Sequence, residues 1–275
     1  MISLKIAIIY NGEKQKCFEI ADNCRKQLQG VGAKAELCDI SDAEGSVFFN
    51  ADVIAAVGGD GTILRVAKKA AEAAKPIIGI NAGRLGYLAC IGADDTEKLK
   101  RLVTGDFSIE NRSMLKAELL KDGRLEGSCT CLNDAVISHG VLSTLIDLEL
   151  KIDNDRLFYR GDGIIAATPS GSTAYSMSAG GPIVDPTLKC FIFTPVCPHT
   201  LQSRPLVVND NKIVEISVDC TKDTRIYLSA DGQTAFEIAK DCIVRISNSG
   251  SFARFIKLDD VSVYKVFSEK TNFKR

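Results

Sequence analysis

The sequence has little of what several protein classes require. Its 275 residues carry a formal net charge of −1, whereas a protein that neutralises nucleic-acid phosphates needs a clear positive excess. No apolar run approaches the roughly 18 residues of a membrane span. The opening stretch MISLKIAIIYNG favours a first strand over a signal peptide. We therefore expect no nucleic-acid partner, no membrane attachment and a cytoplasmic location.

Metal-binding patterns are also scarce. There are ten cysteines but no C-x-x-C pair, and His139 and His199 are the only histidines, so the usual zinc spacings are absent. Cys129 and Cys131 lie two apart on an expected strand and point to one face, which leaves a metal or redox pair open. The simpler interpretation is that the cysteines are small, reduced side chains of the core.

The most informative stretch is ADVIAAVGGDGTILRVAKKAAEAA, residues 51–74. An apolar run, 53–57, leads directly into Gly58, Gly59, Asp60, Gly61 and Thr62. Such a run predicts a strand buried on both faces, with Asp60 at its carboxyl end, where α/β sheets bind ligands. An aspartate near phosphates suits two roles, holding Mg²⁺ or accepting a proton from an attacking hydroxyl. The alternative is a plain turn in which Asp60 caps the following helix.

Apolar strands alternate with helical patterns through the first hundred residues. Further buried strands are predicted at 4–10, 33–38 and 76–80. A helix after the first strand ends at Gly30 or Gly32. Another runs from near Asp94, with Glu97 in a capping box, to near Gly105. This alternation is typical of βαβ units and a parallel sheet, so we expect a Rossmann-like α/β domain over residues 1–105.

From about residue 105 the pattern changes to hairpins. Asp122-Gly123 and Asn154-Asp155 each separate two strand patterns, and a polar turn is expected between strands at 212–219 and 225–229. Repeated hairpins predict an antiparallel, β-rich, sandwich-like domain over residues 106–251.

Two shorter motifs place polar residues beside predicted strands. Gly83 and Arg84 follow the strand at 76–80, and a guanidinium matches phosphate oxygens, although an exposed arginine on a turn fits equally well. Asn133 and Asp134 stand between apolar strand residues. There they suit the two hydroxyls of a ribose, while a hairpin turn has a similar pattern.

The longest motif is YRGDGIIAATPSGSTAYSMSAGGPIV, residues 159–184. It predicts a strand, a loop rich in hydroxyls and a helix of small residues over 173–179. Small side chains let a flat ligand lie against backbone, and Tyr175 can stack on a base; the alternative is a tight helix-packing site. Asp162 is a second candidate for a buried carboxylate. We expect His199 in a hydrogen-bonded loop, with a catalytic role as the alternative. We expect Asp231-Gly232 in a hairpin turn first and in a site only second.

Taken in order, GGDGT, GINAGRLGYL, the Asn-acid pair, DGIIAATPSGSTAYSMSAGGPIV, PHT…RPLV and DGQ resemble the NAD kinase family over nearly the whole chain. The resemblance implies transfer of the γ-phosphoryl of ATP, or of polyphosphate, to the 2′-hydroxyl of the adenosine ribose of NAD. It implies Mg²⁺ or another divalent metal with ATP, and a homodimer or homotetramer. It also implies that the tail, 252–275, packs back on the first domain.

The same resemblance implies roles for individual residues. Asp60 looks like the family's catalytic proton acceptor. The positions that match the NAD site are Gly61, Arg65, Asn133, Asp134, Arg160, Asp162, Ser170, Thr173, Ala174, Tyr175, Ser178 and Gln233. The positions that match the phosphate-donor site are Gly58, Gly59, Thr62, Gly83 and Arg84. Many members have glutamate where Asp134 stands, so the side chain here is one methylene shorter.

Two other activities share part of the pattern. A lipid kinase also carries GGDGT and a β-rich second domain, but it needs an apolar groove for acyl chains, whereas the long motif here is rich in hydroxyls and glycine. A non-catalytic NAD sensor would not need Asp60 and the glycines on the phosphate side. ATP and polyphosphate as donors, and NAD and NADH as acceptors, all fit these motifs.

Overall fold

The computed structural model describes residues 3–83, 86–140, 145–200, 202–219, 224–259 and 262–271. The chain divides into two units, the first formed by residues up to Asn111 together with those from Phe252, and the second by Arg112–Ser251. Within the described ranges, no helix has the length and hydropathy that crossing a bilayer requires.

The first unit begins with alternating strands and helices. Its elements are β1 (Lys5–Tyr10), α1 (Gln15–Gly30), β2 (Lys34–Asp39), α2 (Gly45–Asn50), β3 (Val53–Gly58), α3 (Asp60–Glu72), β4 (Pro76–Asn81), β5 (Ile91–Gly92), a 3₁₀ segment (Ala93–Lys100) and α4 (Arg101–Thr104).

The rest of the chain is dominated by strands. These elements are β6 (Ser108–Lys121), β7 (Arg124–Cys131), β8 (Asp134–His139), β9 (Ile146–Ile152), β10 (Asp155–Gly161), β11 (Gly163–Ala167), a 3₁₀ turn (Ser170–Thr173), α5 (Tyr175–Ser178), β12 (Cys190–Val196), β13 (Leu206–Asn209), β14 (Val214–Asp219), β15 (Ile226–Ala230), β16 (Thr234–Ile238), β17 (Cys242–Lys257) and α6 (Val263–Thr271).

The sheet of the first unit is parallel, in the order β2-β1-β3-β4. Arg254 and Phe255 of β17 continue it in parallel beside β4. Every residue of β3 is buried, as its unbroken apolar run predicts. Helix α1 buries Cys17, Ile20 and Cys24 against the sheet, and α3 buries a second apolar stripe. The prediction of an α/β domain with a parallel sheet is confirmed.

The second unit packs two antiparallel sheets face to face. One has the order β13-β12-β11-β8-β15-β16, and the other contains β10-β9-β14-β17. Alternate side chains of both sheets, among them Leu148, Ile164, Phe193 and Ile216, are buried in one shared core. Alternation with one buried face is what sandwich packing requires. The prediction of a β-rich, sandwich-like domain is also confirmed.

Some local predictions are wrong. The expected hairpin between 212–219 and 225–229 does not form, because β14 pairs with β9 and β17 whereas β15 pairs with β8 and β16. A polar connection signals a turn but not the next strand's partner, and consecutive strands are neighbours only about two-thirds of the time.

The predicted capping box near Asp94 is also wrong. Gly92 precedes the segment and no side chain caps it, so the chain turns as a 3₁₀ segment before α4 begins. Gly105 does end the segment, in the left-handed conformation (φ 72°), as a glycine there favours.

Candidate active site

Asp60 is the first residue of α3 and follows directly from the central strand β3. Gly59 holds the N-cap position, so the alternative in which Asp60 caps the helix does not describe this chain. The carboxylate instead accepts two backbone hydrogen bonds from the segment after β4. The Tyr87 N–H donates to Oδ2 at 3.0 Å and the Leu88 N–H donates to Oδ1 at 3.2 Å. These two bonds fix the direction in which the carboxylate points.

Two glycines make room for this arrangement. A Cβ on Gly86 would lie 2.5 Å from Oδ2 of Asp60 and closer still to Oδ1. A Cβ on Gly58 would lie 2.6 Å from the Cβ of Thr62. Real Cβ atoms essentially never come within 3.0 Å of such neighbours, so a larger residue at either position would force the Asp60 or Thr62 side chain to move. The expectation of close ligand approach therefore explains only part of why these glycines are present.

The remaining donor-side positions differ in exposure. Gly59 and Gly61 are exposed, and no atom would lie within 4 Å of a Cβ at either. The Gly83 N–H donates to Oδ1 of Asn81 at 2.6 Å, a buried polar residue at the end of β4 that the sequence did not single out as a site. Arg65 is exposed on α3. Arg84 lies outside the described residues.

In the second unit, Asn133 and Asp134 lie where the chain passes from β7 to β8. Strand β7 pairs with β6, whereas β8 pairs with β11 and β15, so the alternative of a hairpin turn is excluded. A single carboxylate, that of Asp231, accepts hydrogen bonds from three consecutive backbone N–H groups of this segment. Asp231 accepts the N–H of Leu132 at 3.0 Å, of Asn133 at 2.8 Å and of Asp134 at 3.1 Å.

The segment after β11 packs against the same passage. The Thr168 N–H donates to the carbonyl of Asn133 at 2.8 Å, and the Thr168 hydroxyl donates to the carbonyl of Leu132 at 2.5 Å. A Cβ on Gly171 would lie 2.5 Å from the carbonyl carbon of Asn133. Residues 132–134, 168–171 and Asp231 thus form one structure, which we call the polar corner.

The polar corner contains buried oxygens without partners. Asn133 Oδ1 and Ser170 Oγ are buried and meet no hydrogen-bond partner among the described residues. Asp134, next to Asn133, is also buried, at only 6% exposed. Buried polar atoms are almost always paired in native proteins, because an unpaired one costs about 1–3 kcal/mol. A ligand carrying hydroxyls would satisfy these atoms.

Asp134 is the described carboxyl most strongly perturbed by its surroundings. Burial, followed by the negative charge of Asp231, raises the pKa of Asp134 from 3.8 to about 7. Near neutral pH this group therefore exists both as a carboxylate that accepts hydrogen bonds and as a carboxylic acid that donates one.

The rest of the long motif is partly open to solvent. A 3₁₀ turn and α5 replace the single helix predicted over 173–179, and Ala174 joins them. Tyr175 is 47% exposed and Ser178 is exposed, while Thr173 is half-buried. The hydroxyl of Ser176 is paired internally with Thr194. Helix packing therefore explains Ser176 but not the unpaired hydroxyl of Ser170.

Arg160 and Asp162 lie at the opposite end of β11 from the polar corner. The five residues of β11 separate Asp162 from Thr168, which places their Cα atoms roughly 20 Å apart. Asp162 is 38% exposed at its side chain, so the prediction of a buried carboxylate is wrong; a position next to a strand end does not ensure burial. Its Oδ1 lies 3.6 Å from Nε2 of His139. Arg160 is exposed.

The remaining candidates lie in turns. His199 is exposed, and its backbone N–H donates to the carbonyl of Arg160 at 2.8 Å, as expected for a loop histidine. Asp231 and Gly232, with φ of 49° and 64°, form the predicted hairpin turn between β15 and β16. Gln233 follows it and is exposed. Across the described ranges, no group of three or more His, Cys, Asp or Glu side chains is arranged to hold a metal ion.

Comparisons with known proteins match both units. A family model for the ATP-NAD kinase N-terminal domain matches residues 6–107, and one for the ATP-NAD kinase C-terminal domain matches residues 132–258. An NAD kinase from Symbiobacterium thermophilum is 34% identical, over 97% of this chain and 98% of that protein. An NAD kinase from Desulforamulus reducens is 39% identical, over 80% of this chain and 76% of that protein.

Two solved structures are similar as well. An NAD kinase from Archaeoglobus fulgidus in complex with ATP has a TM-score of 0.77 and 29% identity, and the alignment covers 96% of this chain and 99% of that one. A yeast NADH kinase complexed with NADH has a TM-score of 0.86 and 22% identity, with 100% and 89% covered. The second likeness concerns the fold alone.

Proposed function

The chain belongs to the NAD kinase family. From that premise we propose which of its residues bind NAD, which bind the phosphate donor and which one accepts the proton. The enzyme is an NAD kinase, which transfers a phosphoryl group to NAD and forms NADP. The unpaired buried oxygens of the polar corner, Asn133 Oδ1 and Ser170 Oγ, carry the assignment of the NAD site. They need hydrogen-bond partners that the described chain does not supply, and a nucleoside supplies them.

On the NAD side, Asn133 and Asp134 bind the two hydroxyls of the adenosine ribose. Ser170 donates to the nucleoside, and Tyr175 stacks on the adenine through its exposed ring. The other residues that we assign to the NAD site are Gly61, Arg65, Thr173, Ala174, Ser178 and Gln233. Small side chains such as Ala174 allow a flat base to lie close to the backbone.

Asp60 accepts the proton of the attacking 2′-hydroxyl. A carboxylate is too weak a base to deprotonate a ribose hydroxyl beforehand, so the proton moves as the new O–P bond forms. General-base assistance of this kind contributes about 10²–10⁴-fold. Most of the acceleration in phosphoryl transfer comes from in-line positioning and from charge stabilisation. The hydrogen bonds from the Tyr87 and Leu88 N–H groups contribute to in-line positioning, because they hold the Asp60 carboxylate in one orientation.

The phosphate donor binds at the glycine-rich segments of the first unit. We assign Gly58, Gly59, Thr62, Gly83 and Arg84 to this site. Gly59 offers a backbone N–H, Thr62 a hydroxyl and Arg84 a guanidinium, whereas the N–H of Gly83 is already donated to Asn81. The N-terminus of α3, a helix of 13 residues, adds a favourable dipole for anions. We assign ATP as the donor, and the relative from Archaeoglobus fulgidus binds ATP.

A divalent cation, Mg²⁺ in the first instance, accompanies ATP as part of the substrate. Mg²⁺ usually binds through one or two carboxylates and the substrate phosphates rather than in an all-protein cage. Across the described residues no cluster of three or more acidic, histidine or cysteine side chains forms such a cage, so we assign most of the ligands to the phosphates of ATP. The cation supplies neutralisation of the charge on the phosphates.

We also assign a homo-oligomer, a dimer or a tetramer, in the cytoplasm. Arg160 and Asp162 are separated from the polar corner by the length of β11, which supports a role for them in the NAD site of a neighbouring copy. The buried, reduced thiols of Cys17, Cys24 and Cys190 suit a reducing compartment.

A coupled assay tests the function. The protein is incubated with NAD and Mg-ATP, and NADP is detected with a dehydrogenase that accepts NADP but not NAD as its cofactor. Parallel reactions with polyphosphate as donor and with NADH as acceptor decide the substrates. We expect NADP from NAD and ATP. Intact NAD binding without any NADP would contradict the kinase assignment and favour a sensor.

A further inference from the structure

Asp231 is a buried acid with an unusual number of backbone contacts. It is 8% exposed, and its carboxylate accepts three consecutive N–H groups, those of residues 132–134. Its own N–H donates to the carbonyl of Asp134 at 2.9 Å. The left-handed turn of Asp231 and Gly232 therefore directs a negative charge back over the start of β8.

The three N–H groups lie where the chain leaves one sheet and enters another. Strand β7 ends at Cys131 and β8 begins at Asp134. Side chains in extended segments alternate between the two faces of a sheet. A shift of this segment by one residue in register would therefore exchange the directions in which the Asn133 and Asp134 side chains point. The carboxylate of Asp231 accepts all three of these amides at once, a contact that would be lost in such a shift.

We propose that Asp231 is a positioning residue for the phosphorylation of NAD: it fixes Asn133 and Asp134 in the orientation that binds the ribose, and it controls the protonation of the Asp134 carboxyl. The inference rests on the proposed NAD site in the polar corner. Asp231 acts through its neighbours and does not itself touch the reacting atoms.

The surroundings of Asp134 support the second half of the proposal. Asp231 is the charged group that raises the pKa of Asp134 beyond the effect of burial. Apart from Asp231, the titratable or charged side chains on β7 and β8 are Cys131, Cys129, Glu126 and Arg124, in order of increasing distance from Asp134 along β7, and His139 at the far end of β8. Around β11 and β15 they are Asp162, Arg225 and Tyr227, which lie about a strand length away.

The substitution Asp231→Asn removes the charge and keeps the turn, because asparagine tolerates a positive φ in this position. It retains Oδ1, which accepts two of the three amides, but Nδ2 then faces the Leu132 N–H. Asp122→Asn is a matched control, since Asp122 has the same φ of 49° in an exposed turn followed by Gly123. Both variants are compared with the wild-type enzyme.

Steady-state kinetics give the first readout. We expect kcat/KM for NAD to fall at least about 10-fold in Asp231→Asn, because hydrogen bonds to a charged group are lost. KM for ATP should stay within about 2-fold, as expected when only one substrate's site is disturbed. Asp122→Asn should match the wild type. An unchanged kcat/KM for NAD in a folded Asp231→Asn variant would overturn the positioning role.

The protonation of Asp134 gives a readout that a purely structural role would not move. Carboxyl ¹³C NMR follows the titration of Asp134, with the signal assigned by its loss in Asp134→Asn. We expect its pKa to fall in Asp231→Asn, since a nearby negative charge is removed, and to stay in place in Asp122→Asn. A loss of activity with an unmoved Asp134 titration would overturn control of protonation. If Asp231→Asn does not fold, the titration of Asp134 in the wild-type enzyme is the test. An ordinary pKa for Asp134 there would overturn the proposal that Asp231 controls its protonation.

Calorimetric binding of NAD separates this inference from the kinase assignment. If the wild-type enzyme binds NAD and forms no NADP, the proposed function fails, whereas the effect of Asp231→Asn on NAD affinity is still measurable. If NADP forms normally and Asp231→Asn binds NAD as tightly as the wild type does, the proposed function stands and the role of Asp231 is refuted.

Discussion

Gly86→Ala should damage catalysis without touching a substrate. An alanine Cβ at this position would lie 2.5 Å from Oδ2 of Asp60 and closer to Oδ1. Gly86 does not have a positive φ, so the effect comes from this clash and not from backbone strain. Since interiors are close-packed, the carboxylate must retreat by roughly 1 Å. That movement weakens the hydrogen bonds from Tyr87 and Leu88.

Gly86→Ala should lower both the turnover and the stability of the enzyme, by comparable free energies. A misplacement of about 1 Å in a reacting group costs on the order of 100-fold in turnover. Two weakened hydrogen bonds to a carboxylate cost about 1–3 kcal/mol of the free energy of unfolding, because water replaces part of each bond. A folded enzyme with low kcat is therefore expected, with KM for NAD little changed because the NAD-binding groups are intact.

The assay is the rate of NADP formation, read together with thermal unfolding. Gly30→Ala is the matched control, because no atom would lie within 4 Å of a Cβ at that position and its φ is not positive. The control should keep wild-type turnover. If Gly86→Ala keeps kcat within about 3-fold of the wild type, the orientation of Asp60 does not matter in the way its contacts indicate.

Two further predictions concern the polar corner. A folded-state pKa of about 7 for Asp134 against an ordinary 3.8 means that the folded state binds this proton more tightly, so the stability contributed by the group is present below the lower value and is lost as pH rises through the higher one. Asp134→Asn should therefore increase the free energy of unfolding at about pH 8 by up to roughly 4 kcal/mol, seen as a higher melting temperature, and give no such gain near pH 4. An equal effect at both pH values would refute the shift. Ser170→Ala should leave the melting temperature of the ligand-free protein unchanged or slightly higher, because Ser170 Oγ is buried without a partner, while raising KM for NAD about 5- to 10-fold. A large loss of stability with unchanged KM would show that the hydroxyl serves the fold.

The sequence predicts the strands that are buried on both faces more reliably than the contacts made at their ends. Strand β3 follows from its unbroken apolar run, and Asp60 at its end follows from the glycines. The amide donors that orient Asp60 come from residues 27 and 28 positions further on. Their approach depends on the path of the segment after β4, which local patterns do not specify.

Asp231 shows a second limit. Asp231-Gly232 and Asp122-Gly123 are the same dipeptide, each with a positive φ at both residues, and the preference of this dipeptide for hairpin turns accounts for both. Only Asp231-Gly232 lies beside β8, because β15 pairs with β8. The sequence of the turn does not specify this strand order. The incorrect hairpin between 212–219 and 225–229 has the same origin, since strand patterns identify strands but not their partners.

The role of Asp60 is tested most directly by the turnover of Asp60→Asn, measured beside its affinity for NAD. Asparagine keeps the size of the side chain and one oxygen acceptor but cannot accept the proton of the 2′-hydroxyl. We predict that kcat for NADP formation falls at least about 100-fold, while calorimetry finds the dissociation constant for NAD within about 3-fold of the wild-type value. Turnover at the wild-type rate by this variant would contradict the assignment of Asp60 as the proton acceptor.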